Sequence, residues 1–139
     1  VHGFLLYYVM LLCSHFIFFV IKETDAAAYH SIIDQVHFKS DENWIAVVLL
    51  LLLDPLSEEF FLEGYLFKRL ERLRPALIVL ISLAIRVSYH TYQGWRSLIN
   101  VLPFGIVMTV YYARYKKLWP ILIAHTLNNM FADLYYLNH

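Results

Sequence analysis

The sequence predicts an all-α fold: a polytopic bundle of about five membrane helices, the second kinked or broken near Pro55. Three observations predict it. The chain of 139 residues is 60% hydrophobic and only 16% charged, against about 45–50% apolar in soluble proteins. Apolar runs near the length needed to cross about 30 Å of hydrocarbon recur along it. The polar connectors between them alternate in charge character, as multi-pass topology requires. The length suits one membrane domain over residues 1–139.

The first helix is predicted over Gly3–Ile21, in "VHGFLLYYVMLLCSHFIFFVIK". With no basic leader and no small-residue cleavage site, it reads as a retained helix rather than a signal peptide. Residues 22–43 carry five acids against two bases and read as a loop. The second segment runs from Trp44 to about Phe67. Its run "WIAVVLLLLL" is too short to span alone, and "DPLSEE" reads as a fresh helix start. Asp54 would cap it, Pro55 would take the first helical position, and the acids would meet the positive end of the dipole. The third helix is placed at Pro75–Tyr92, before a tight turn at Gly94 and an interfacial Trp95. The fourth covers Leu98–Tyr115, with Pro103 inside, and the fifth Pro120–Leu137.

Charge excludes some classes and orients the chain. Net charge is zero, so no basic field points to nucleic acid. Cys13, the single cysteine, excludes an internal disulfide and gives no metal-cluster spacing. The connectors "KRLERLR" and "RYKK" are basic and fall on one side of a five-helix alternation. Basic short loops stay cytoplasmic, which predicts an inside amino terminus in the cell membrane and an outside carboxyl terminus.

Against this apolar background stands "DPLSEEFFLEGYLF", with Asp54, Glu58, Glu59 and Glu63. An ionised acid at mid-bilayer costs about 2.5–3.5 kcal/mol on insertion scales, so such residues face protein and find partners. "RVSYH" puts Arg86 and His90 four apart on the third helix, and "HTLNN" puts His125 and Asn129 four apart on the fifth. Three helices thereby offer acids, imidazoles and an amide to one wet pocket. Blander readings compete: an interfacial cap for Glu58 and Glu59, an interfacial histidine for His90, and interhelical packing for His125 and Asn129. His2, His15, His30, His37 and His139 lack partners at useful spacing and are assigned no site.

These motifs resemble the CAAX protease and bacteriocin-processing family of intramembrane proteases. The family pattern is Glu-Glu-x-x-x-Arg, then an aromatic three residues before a His, then His three residues before Asn or Asp. Here the three stand as "EEFFLEG", "RVSYH" and "HTLNN", in order and on separate helices. The protease-like core would cover about 44–137. Two positions depart: Glu63 stands where the motif has Arg, and Arg86 takes the aromatic position. Arg86 is therefore expected to supply the displaced guanidinium and to pair with Glu63 or Glu59.

The resemblance implies an intramembrane endopeptidase acting on CAAX-type, bacteriocin-related or other membrane-associated peptides, including lipidated proteins. Glu58 and His90 would activate a water, and His125 with Asn129 would bind the oxyanion. Glu59, Glu63 and Arg86 would support them. No cofactor is expected; a zinc-dependent variant would use Glu58, His90 and His125. Membrane lipids are the other expected partner. Family members commonly carry more than five helices, so an amino-terminal part before Val1 is a further expectation. The alternatives are a non-catalytic immunity or scaffold protein, and a proton-coupled transporter, which the lack of inverted repeats disfavours. Counted from the cytoplasmic ends, Glu58 would lie about 14 Å deep, Asn129 about 16 Å and His90 about 22 Å.

Overall fold

The computed structural model describes residues 2–24, 44–91 and 98–137, and every extended element among them is helical. Helix α1 is His2–Thr24 and α2 is Trp44–Glu59. A π-helical segment, Phe60–Tyr65, continues α2 directly into the short α3, Leu66–Arg69. Helices α4 (Pro75–His90), α5 (Leu98–Tyr115) and α6 (Trp119–Leu137) complete the chain. The expected turn at Gly94 and Trp95, and most of the acidic 22–43 loop, lie outside the described residues.

Four of the five predicted helices end within three residues of the observed bounds. The second differs in kind. No new helix starts at Asp54: α2 runs unbroken from Trp44 to Glu59 with Pro55 in its interior. The proposed cap and the positive dipole end beside Glu58 are therefore absent. Pro55 withholds one backbone N–H from the ladder, and the Ser57 hydroxyl bonds back to the Leu53 carbonyl at 2.7 Å. The departure from α geometry comes downstream, in the π turn, where a wider turn redirects side chains.

Local rules account for the other ends. Pro75 occupies the first turn of α4 behind an extended Arg74 (φ −61°, ψ 135°), the position proline tolerates best. Between α5 and α6, Lys116 adopts a left-handed φ of 53° that reverses the chain in three residues. Its ammonium lies 4.6 Å from the Phe67 ring centroid and 5.4 Å from that of Tyr112. The His2 ring lies 6.5 Å from Tyr115. The start of α1, the end of α3 and the α5–α6 turn thus gather at one end, which carries the basic connectors.

The apolar core joins α1, α5 and α6 through Leu6, Tyr7, Met10, Met108, Ile121 and Ala124. Gly3 permits the approach of α1 to α6: a Cβ there would meet the Ile123 Cβ at 3.1 Å and the Pro120 carbonyl at 3.3 Å. Helix α4 packs on α5, while α2 packs on α6. The polarity of the molecule is inverted. Phe16, Leu12, Ile45, Leu50 and Leu80 point outward, while Glu59, Glu63, Ser82, Arg86, Thr109 and His125 are buried. In water each large outward side chain would forgo about 1.5–3 kcal/mol of burial; in lipid it forgoes none. Helix α1 has the length and apolar composition of a membrane span.

Nitroxide labels at Leu12 and Leu80, 70% and 63% exposed, should collide with dissolved oxygen more often than with a water-soluble nickel chelate in lipid vesicles. Preference for the chelate at either site would place that face in water.

Candidate active site

The polar residues of the cluster come from five elements. Helix α2 supplies Glu58 and Glu59, the π segment Glu63, α4 Arg86 and the less buried His90, α5 Thr109, and α6 His125. Depth explains how they meet. Arg86 lies eleven residues above the start of α4 and Glu58 eleven above the end of α3, so both sit about 16 Å from the basic end. Asn129 sits about 15 Å from the start of α6 and His90 about 22 Å up α4. The depth mismatch counted from sequence thus reduces to His90, one turn farther than its partners.

Arg86 is the hub, with its side chain 1% exposed. Its Nη1 donates to Glu58 Oε1 and to Glu59 Oε1 at 3.1 Å. Its Nη2 donates to Glu59 Oε2 at 3.0 Å and to both Glu63 oxygens at 3.2 and 3.3 Å. The guanidinium foreseen to pair with Glu63 or Glu59 meets both, and Glu58 as well. Adjacent residues on a helix diverge by about 100°, yet the long side chains of Glu58 and Glu59 converge on this one cation. Two further helices complete the set. Thr109 Oγ1 of α5 donates to Glu63 Oε1 at 2.8 Å. His125 Nδ1 lies 2.6 Å from Glu59 Oε1, with the Phe104 ring edge-on at 4.9 Å between centroids.

Glu59 is wholly buried and cannot be an interfacial cap. His90 is less buried. Its side chain is 17% exposed and Nε2 lies 3.7 Å from Glu58 Oε1, beyond a direct hydrogen bond. The Tyr89 ring lies against it at 4.6 Å. Asn129 is half-buried one turn beyond His125 and makes no hydrogen bond to the cluster among the described residues.

Thr109 and Gly105 were not foreseen. Both lie on one face of α5, four residues apart, a small-polar stripe in an apolar helix. A Cβ on Gly105 would meet Arg86 Cδ at 2.8 Å, Leu83 Cδ2 at 3.1 Å and Arg86 Nε at 3.3 Å. Glycine is needed there because Arg86 passes across it.

The donor set also tests for a metal. Glu58, Glu59 and His125 offer ligand atoms within 4.8 Å of one another, a different trio from the Glu58, His90 and His125 expected for zinc. Zinc holds each ligand at about 2.0–2.2 Å in an open tetrahedron. Here Glu59 and His125 bond each other at 2.6 Å, and a guanidinium already lies among the carboxylates. These residues are bonded to one another and to Arg86, so a cation held by this trio would have to displace the Glu59–His125 contact.

The model of the type II CAAX prenyl endopeptidase Rce1-like family matches residues 40–131. The chain belongs to this family. The matched stretch contains every residue of the cluster, with His90 and Asn129. Comparison with curated proteins and with solved structures finds no match. The family is one of membrane-embedded CAAX-type proteases, and the outward apolar surface agrees with that setting.

Replacing Gly105 by Ala should cost about 1–3 kcal/mol by overpacking against a side chain that cannot swing away. Thr109→Val should cost about 1–3 kcal/mol by removing one of the two donors to the buried Glu63 Oε1, which then keeps only Arg86 Nη2. Thermal unfolding in detergent micelles reads both; unchanged melting temperatures would mean that α5 does not brace the cluster.

Proposed function

We propose that the chain is a multi-pass intramembrane endopeptidase that hydrolyses membrane-associated peptides of the CAAX type. The carrying observation is the position of Glu58 and His90. They are the partly accessible members of a set whose other acids are sealed, and their facing atoms are 3.7 Å apart. That gap suits one water accepting from one group and donating to the other, each at about 2.8 Å.

In this reading Glu58, oriented with His90, takes a proton from the water. The resulting hydroxide attacks the substrate carbonyl and forms a tetrahedral oxyanion. With the shared proton on Glu59 and donated to His125 Nδ1, the neutral imidazole carries its own proton on Nε2 and offers it to that oxyanion, and Asn129 offers its amide. A donor so placed in a dry site is worth about 3–4 kcal/mol. Breakdown of the intermediate cleaves the C–N bond, and the proton held by Glu58 passes to the leaving amine. Every step uses the chain's own residues and none needs a metal. The basic end, with "KRLERLR" and "RYKK", faces the cytoplasm of the cell membrane, where a prenylated carboxyl terminus would be presented.

One observation favours a second reading. Arg86 Nη1 bonds Glu58 itself, and a base held by a guanidinium is a weaker base. A non-catalytic scaffold or immunity protein would keep this cluster for cohesion alone.

Purified protein in lipid vesicles should cleave a prenylated CAAX peptide or another member of a membrane-peptide panel. Glu58→Gln and His90→Ala should each lower kcat by about 100-fold or more, and a chelator should leave the rate unchanged. Equal turnover by parent and both variants would remove these residues from the reaction. Cleavage of nothing across the panel would select the scaffold. Loss with chelator, restored by zinc, would make the enzyme metal-dependent.

A further inference from the structure

We propose that Arg86 is a positioning residue: its fork sets Glu59, and through Glu59 it sets the ring of His125. Its effect on turnover rests on the endopeptidase reading; its hold on His125 does not.

Glu59 is gripped twice. Both terminal nitrogens of Arg86 donate to it, one to each oxygen. A planar guanidinium bonded this way fixes a carboxylate in plane and direction as well as in place. The oxygen that accepts from Nη1 is the one 2.6 Å from His125 Nδ1. Direction given to Glu59 is therefore passed to the imidazole, whose remaining nitrogen is the one left for a substrate.

Arg86 has little freedom of its own. Glu63 holds Nη2 from the far side and is itself held by Thr109. Gly105 lies against Cδ, so close that a single added carbon would come within 2.8 Å. Three elements, α2, the π segment and α5, thereby fix one guanidinium. Its unbonded Nε faces no partner among the described residues, so the grip comes from the two terminal nitrogens alone.

A simpler role would be charge neutralisation, in which any cation at position 86 suffices. Arg86→Lys separates the two, because lysine keeps the charge and lacks the fork. Proton–nitrogen NMR of 15N-histidine-labelled protein in micelles, with His125 assigned by its absence in His125→Ala, reads the ring directly. In Arg86→Lys the His125 Nδ1 signal should shift, and kcat should fall by about 100-fold while KM stays within about threefold. Arg86→Met, where it folds, should give the same spectral change. A parent-like His125 signal in folded Arg86→Lys would overturn the proposal and leave neutralisation. A shifted signal in a protein that cleaves no peptide at all would uphold the positioning role and overturn the endopeptidase reading.

Discussion

The guanidinium of Arg86, closed in by Glu58, Glu59 and Glu63, is the interaction on which the remaining structure depends. A lone buried cation is prohibitively costly, and a buried pair is tolerated only when nearly every polar atom is met. Removing one partner of such a pair costs about 3–5 kcal/mol, comparable to the whole stability of many domains. The elements that take part in it are therefore held in fixed register. Helix α4 must keep Arg86 level with Glu58, α5 must offer a hydroxyl at Thr109 and no side chain at Gly105, and the π segment must aim Glu63 inward.

That constraint divides the site by depth. Toward the basic end, Glu63 and Thr109 form a sealed anchor. At mid-depth Glu59 links Arg86 to His125. Beside them Glu58 and Asn129, and one turn above them His90, lie where the burial relaxes. The sealed anchor and the partly accessible groups proposed for the chemistry are thus neighbours in one hydrogen-bonded set, and Glu58 belongs to both. The bond that helps hold α4 to α2 ends on the same oxygen that faces His90.

The apolar packing does separate work. Leu6, Tyr7 and Met10 of α1 interlock with Met108, Ile121 and Ala124 of α5 and α6, away from the charged set. Gly3 brings α1 close enough for this to occur. The lipid-facing side chains outside need no complementary protein surface, since hydrocarbon solvates them without cost. Polar bonding specifies which helix faces meet, and the apolar cluster fills the space they leave.

Much of this was legible in the residues. Helix bounds followed from apolar runs ended by Pro75, the basic connectors and Pro120, because an apolar run keeps its backbone groups bonded internally until a proline or a charged connector stops it. That Glu59, Glu63 and Arg86 needed one another followed from the cost of charge in an apolar setting. "DPLSEE" misled because a strong capping pattern was overridden: the chain before Pro55 was already helical, and continuing it satisfied more backbone groups than restarting. Thr109 and Gly105 carried only a faint signal, a small-polar stripe with no charge to mark it. What the sequence by itself determined was the set of groups that could not face lipid. Which oxygen meets which nitrogen, and that His90 stands one turn above its partners, was decided only in three dimensions, because side-chain reach and the relative depth of separate helices are not properties of any single segment.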